Sequence, residues 1–240
     1  MNVDPSLKLE IVPQSLDVQA ADVIRAQILQ GNFPPGYRLV ESRLAEQLNL
    51  SRGTIRSALQ QLTHEGLVNQ VQYKSWSVAT FSLQDTWELY TLRNVLEGFA
   101  ARLAAEAITL ERATLLKAAL EQFNQAIAEK DLQKVIASDF ALHKTIVQIT
   151  GHQRLQAQYK LIEQQIYLTI AICDPLYQDL NELKTTHERL VEAICSGNGD
   201  YAEQMSREHS ADGKEFLPHL QGAHRSRKVQ TKNIAILPDS

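Results

Sequence analysis

The hydrophobic pattern of this 240-residue chain changes character once, at Phe81, and that change limits the fold more than any other feature. Up to residue 80 the apolar spacing alternates between helical and strand-like periods. Beyond it every segment reads as helix, near 83–106, 110–129, 131–149, 153–173, 178–196 and 199–217. The breaks fall at Thr109, Lys130-Asp131, Thr150-Gly151, Asp174-Pro175 and the run 196–199. Six helices with short connections predict an antiparallel bundle. No internal repeat is visible.

The first 80 residues read differently. Residues 1–15 carry no sustained period and are predicted to be a mobile arm. Val18, Ala21, Ile24, Ile28 and Leu29 then mark a helix that stops at Gly31, where Phe33-Pro34-Pro35-Gly36 forces a rigid turn. A short helix is predicted over 41–48, with Leu44, Ala45 and Leu48 on one face, and Asn49-Leu50 as a tight turn. Ser51 is a suitable N-cap for a third helix over about 52–65, whose inner face is Ile55, Ala58, Leu59 and Leu62. Residues 67–71 and 76–80 read as two short strands with a hairpin tip at 72–75. This is the order of a winged helix-turn-helix. The expected fold is therefore mainly α: an arm (1–15), a winged helix-turn-helix (16–80), an all-α antiparallel bundle (81–220) and a basic tail (221–240).

Charge is consistent with that division. The whole chain carries a net charge of −4, which does not suggest a nucleic-acid binder. Residues 1–80 balance 7 basic against 7 acidic side chains, while residues 81–220 carry 13 against 20. DNA binding by such a head requires its basic groups to share one face. The third helix begins with Arg52, Thr54 and Arg56 opposite its apolar side, which suits a recognition helix entering the major groove. Arginine offers a two-point fork to guanine, and threonine can bond a base or phosphate. Arg38 and Arg43, placed on or near the preceding helix, are candidate phosphate contacts. The tail, with HRSRK at 224–228, is predicted to be disordered, with phosphate binding as its second reading. No apolar run approaches the ~20 residues of a membrane span, and the N-terminus lacks a signal-peptide pattern, so a cytoplasmic location is expected. Cys173 and Cys195 read as reduced core thiols.

Residues 33–68, FPPGYRLVESRLAEQLNLSRGTIRSALQQLTHEGLV, closely resemble the DNA-binding domain of the GntR family of bacterial regulators. The PPG-x-RL-x-E opening, the LA-x-x-L helix, LSR-x-T-x-R-x-AL-x-x-L and EGLV all appear in register. The resemblance implies DNA contacts at Ser42, Ser51, Arg52, Gly53, Thr54 and Arg56. One winged helix reaches too few phosphates and bases for tight recognition and the acidic bundle cannot add contacts, so a homodimer on a pseudo-palindromic double-stranded operator is expected. Ser42 stands where several members have arginine, so that contact passes to Arg43 or weakens. The wing tip QYKSWS (72–77) lacks the family's glycine, and Lys74 is the candidate phosphate contact there.

In the bundle, Asp139 and His143 are four apart and share a helix face. His187 and His209 lie on two further helices. Three imidazoles and a carboxylate from three helices can converge on one divalent ion, with Zn, Ni, Mn or Fe as candidates. Unrelated surface histidines are the alternative, since the chain has seven, and His64, His152, His219 and His224 show no such pattern.

From Asp85 to about Pro218 the chain resembles the C-terminal FCD domain of the FadR subfamily. W-E-L-Y-x-L-R-x-x-L-E (87–97), D-x-x-x-H-K-x-I-x-x-x-x-G (139–151), H-E-R-L-V-E-A-I-x-x-G (187–197) and His209 carry the match. The resemblance implies that Asp139, His143, His187 and His209 bind the metal, and that the metal holds a small organic acid effector. Arg93 matches an arginine that can face the effector; a surface or inter-helix ion pair is its other reading. His152 replaces the asparagine of a common GN pair. Three classes follow. They are a ligand-gated DNA-binding regulator, a metal-dependent hydrolase, and a regulator that senses metal alone.

Overall fold

The computed structural model describes residues 14–71, 75–173 and 179–211. The wing tip with Lys74, most of the arm, His219, His224 and the basic tail lie outside them, as does the side chain of Cys173. Cys195 is a free, half-buried thiol.

In the head, α1 (Leu16–Leu29) buries Ala20, Ala21, Ile24 and Ile28, and of the face its period predicts Val18 and Leu29 are only half-buried. It ends before Gly31, whose φ of +80° suits glycine. Next come β1 (Arg38–Leu39), α2 (Glu41–Leu48) and α3 (Arg52–His64), with Asn49 left-handed at the tight turn. The strands β2 (Val68–Val71) and β3 (Ser75–Val78) complete a sheet of order β1-β3-β2, antiparallel throughout. Leu39 pairs with Trp76 and Gln70 with the same residue from the other side. The strand β1 escaped the sequence reading because two residues between a proline turn and a helix show no period. Arg38 therefore stands near α2 but projects from a strand beside the wing.

Ile24, Ile28, Leu39, Leu44, Ile55, Leu59, Leu62 and Trp76 form the head's core, and Leu168 of the bundle is part of it. Arg25 on α1 forks onto Glu65, the C-cap of α3, at 2.7 and 2.6 Å, which ties α1 to the end of α3.

The bundle comprises α4 (Leu83–Glu106), α5 (Leu110–Glu129), α6 (Leu132–Ile149), α7 (Gln153–Cys173), α8 (Leu180–Cys195) and α9 (Gly199–Ala211). Side-chain caps place several of the starts. Ser82 and Asp85 form a reciprocal capping box on α4, and Thr109, Asp131 and Asp179 each accept a backbone N–H at the next turn. His152 does the same for α7, its Nδ1 accepting the Leu155 N–H at 3.1 Å. An asparagine would serve identically, which explains the exchange in the GN pair. The helix α4 packs along α9, and Gly98 permits the approach, since a Cβ there would stand 3.0 Å from Arg207 Cγ. On its inward side α4 buries alanines and, among them, Arg93 and Glu97. No helix among the described residues is long and apolar enough to cross a membrane.

Candidate nucleic-acid interface and candidate metal centre

The start of α3 is built by Ser51, whose Oγ accepts the Thr54 N–H at 3.1 Å and lies 2.9 Å from the Thr54 hydroxyl. This closes the first turn and leaves Arg52, Gly53 and Arg56 exposed while Ile55 and Leu59 are fully buried. A Cβ on Gly53 would meet only the Ser51 hydroxyl, at 3.6 Å, so packing within the chain does not demand glycine there. Ser42 and Arg43 are exposed on α2.

Arg38, Ser42, Arg52 and Arg56 line one groove of about 450 Å3 between α2, α3 and the strands. Arg43, Ser51, Gly53 and Thr54 are not part of its lining. Three guanidiniums on one groove supply the clustered positive face that the head's neutral total charge left open. Sequence reasoning missed a fourth charged member, Glu41. It accepts Arg56 Nε–H and Nη2–H at 3.0 and 2.8 Å, and the Trp76 indole N–H at 2.9 Å. The Arg56 hydrogen bonds hold the Glu41 carboxyl below the usual carboxylate range, against the opposing effect of its partial burial.

In the bundle the four candidate ligands meet. The ligating atoms of His143, His187 and His209 lie within 4.8 Å of one another. His187 Nε2 is 2.6 Å and His143 Nε2 3.9 Å from Asp139 Oδ1, and the Nε2 atoms of His143 and His209 are 3.2 Å apart. Asp139, His143 and His187 are buried and His209 is half-buried. His64 and His152 stand elsewhere, each bonded to backbone near its own helix.

Two of the imidazoles are oriented from behind. His187 Nδ1 lies 2.7 Å from the Leu183 carbonyl, an acceptor only, so Nδ1 carries a proton and the neutral ring turns the Nε2 lone pair inward. His143 Nδ1 is 3.0 Å from Glu97 Oε2, with the same consequence. His187 Nε2 makes no hydrogen bond despite its closeness to Asp139. A neutral ring sets that lone pair against a carboxylate oxygen, which is unfavourable unless a ring proton or a metal ion stands between them. The residues therefore fit a divalent ion: mixed nitrogen and oxygen donors, inward lone pairs and anchored rings.

Glu97 is the second residue that sequence reasoning missed. Its Oε1 accepts Arg93 Nε–H at 2.8 Å and the Tyr159 hydroxyl at 2.9 Å, and the Ser210 hydroxyl reaches Oε2 at 3.4 Å. Burial alone would raise its pKa, but Arg93 and His143 hold it well below the carboxylate range. Asp139 is likewise held low by His187 and His143 against its burial. Burial, with His187 and His143 close by, pushes His209 well below 6.5, so it is neutral and able to ligate at pH 7. Arg93 is thus a buried, intrahelical ion pair, neither a surface group nor a bridge between helices. A groove of about 200 Å3 between α8 and α9, lined by Arg189 and Glu208 among others, opens onto His209.

Residues 16–78 match the model of the bacterial regulatory proteins of the gntR family, and residues 88–212 that of the FCD domain. A transcriptional regulator of the helix-turn-helix type from Agrobacterium vitis, encoded in the TAR-I ttuE-ttuC' intergenic region, is 35% identical over 131 residues, 53% of this chain and 77% of that protein. An uncharacterized regulator of the same type from Bacillus subtilis, YdhC, is 24% identical over 209 residues, 87% of this chain and 93% of its own length. The solved structure of Escherichia coli McbR/YncC superposes with a TM-score of 0.74 at 21% identity, covering 86% of this chain and 99% of that one, which shows a shared fold.

Proposed function

The chain belongs to the gntR family of bacterial regulatory proteins and carries an FCD domain, and from that membership we propose how its two parts divide the work. It is a DNA-binding transcriptional regulator and not an enzyme, which removes the hydrolase reading. Residues 16–80 read a pseudo-palindromic operator as half of a cytoplasmic homodimer, through Arg38, Ser42, Arg43, Ser51, Arg52, Gly53, Thr54, Arg56 and Lys74. Residues 81–220 sense.

The sensing half rests on one observation. His187 Nε2 and Asp139 Oδ1, buried and 2.6 Å apart, need a positive charge between them, a ring proton or a metal ion, and the convergence of His143 and His209 on the same point favours the metal. Asp139, His143, His187 and His209 hold one divalent ion, with Zn, Ni, Mn and Fe all compatible with nitrogen and oxygen donors. When bound, the ion supplies a Lewis acid with open positions for the carboxylate of a small organic acid. Glu97 keeps the His143 lone pair turned inward, and Arg93 serves the site through Glu97 as its buried countercharge. A ligand can shift DNA affinity only by binding one arrangement of the bundle better than another. Leu168, on α7 with Tyr159, lies in the head's core and gives that rearrangement a path to the recognition helix.

Sensing of the metal alone is the second reading. The pairing of Arg93 with Glu97 favours it, because the candidate cation for an organic acid is already neutralised. Metal content after reconstitution tests the site. One ion per chain is expected for wild type and for His64→Ala, His152→Ala and His219→Ala, and none for the double variant His187→Ala/His209→Ala. A wild type that binds no divalent ion withdraws the sensing proposal. Titrating short carboxylic acids against metal-loaded protein then separates the two readings, since only an effector both binds and alters operator affinity.

A further inference from the structure

A carboxylate is an unexpected lining for a groove that faces DNA, because each phosphate it meets repels it. Glu41 lines the groove together with Arg38, Arg52 and Arg56 and is the one acidic residue of that lining. Its place is fixed from two sides. The buried Trp76 carries an indole N–H, a donor only, and gives it to Glu41 Oε1. Arg56 then closes a two-point fork, Nε–H to Oε1 and Nη2–H to Oε2. The carboxylate thus joins the start of α2, the recognition helix and the central strand of the sheet.

A guanidinium has two edges that can make paired hydrogen bonds, one through Nε and Nη2 and one through Nη1 and Nη2. Glu41 occupies the first. We infer that Glu41 is a specificity-determining positioning residue, which holds Arg56 with only its Nη1–Nη2 end open to DNA. Held in this way, Arg56 recognises by direction. Its charge is cancelled locally, so it adds little to the attraction that any phosphate backbone would feel. Arg52, exposed one turn earlier on α3, supplies that attraction. The two arginines of the recognition helix therefore have different tasks. An exposed ion pair of this kind would ordinarily be weak. Here the Trp76 bond keeps the carboxylate in place whether or not Arg56 is engaged, so the fork need not be rebuilt on binding.

The test uses the full-length protein and two duplexes: one selected by wild type from a randomised pool, and a scrambled duplex of the same length and composition. Glu41→Gln keeps the size and an oxygen for the Trp76 N–H but removes the charge. We expect its affinity for the scrambled duplex to rise, with a salt dependence steeper by up to about one ion per protomer. The selected-to-scrambled affinity ratio should fall about tenfold. Arg56→Lys, which cannot make the fork, should lose the ratio to a similar extent without steepening the salt dependence. Adding Glu41→Gln to it should change the ratio no further. A folded Glu41→Gln protein with unchanged ratio and slope overturns the inference. Equal weakening on both duplexes also overturns it, because that is what a merely structural role would give. Should Glu41→Gln not fold, Glu41→Asp replaces it, keeping the charge but shortening the reach. A lower ratio at unchanged slope then supports the inference, and an unchanged ratio overturns it.

Discussion

Replacing Glu97 with glutamine exchanges one carboxylate oxygen for an NH2 group, and the surrounding donors leave that group nowhere to go. In the native chain both oxygens accept only. Oε1 receives Arg93 and Tyr159, and Oε2 receives His143 and Ser210. The buried Arg93 charge binds an amide oxygen more strongly than a neutral imidazole can. The remaining oxygen of Glu97→Gln therefore turns to Arg93, and the NH2 faces His143 Nδ1. Nδ1 must then give up its proton and accept, which moves the imidazole proton to Nε2, the atom facing Asp139 and His209. A ring in that tautomer cannot ligate. Loss of such an outer partner costs about 10- to 100-fold in metal affinity, or ~1.4–2.7 kcal/mol. The apo protein should also lose stability, because Arg93 keeps its burial and loses its countercharge. Competition with a chelator of known affinity gives the first quantity. Nitrogen chemical shifts of His143 report the tautomer directly. Metal affinity within twofold of wild type, with His143 still protonated at Nδ1 in the variant, would refute the reasoning.

Two further outcomes are expected. Arg52→Ala should lose about 10- to 100-fold in affinity for a selected operator per half-site, the worth of a base-directed contact of ~1–3 kcal/mol, while thermal unfolding stays unchanged because the side chain is exposed; an electrophoretic shift assay with intact affinity would contradict it. Metal-free protein should lose stability as pH falls through about 6.5, because the unfolded chain protonates His209 while the folded chain, whose His209 is depressed, does not. The slope for that one group is at most ~1.4 kcal/mol per pH unit, and it ends at the folded pKa. Nearer pH 4 the lowered carboxyls of Glu97 and Asp139 add a second loss in the same direction. Urea midpoints that rise from pH 7.5 to 5.5 would count against the His209 assignment.

What the sequence determined by itself was everything carried by local order. The apolar periods placed α1 to α8 and the start of α9 closely, Ser51 marked the start of the recognition helix, and spacing put Asp139 and His143 on one face. Helix formation and capping depend on neighbours within a few positions, so one-dimensional spacing contains them. Helix placement offered His187 and His209 only as candidates, and the family motifs tied them to Asp139, which no local rule could have done. Only the tertiary structure decided which distant groups touch. Trp76 is 35 residues from Glu41, and Tyr159 is 62 from Glu97, and nothing along the chain pairs them. Burial decided the rest. A glutamate four residues after an arginine is ordinary on a solvated helix, where it contributes a few tenths of a kcal/mol. Folded inside the bundle, the same Arg93–Glu97 pair cannot be left to water, and its remaining hydrogen-bonding capacity turns to Tyr159 and His143. Likewise β1 exists only because β3 lies beside it to accept its hydrogen bonds, which two residues in isolation could never specify.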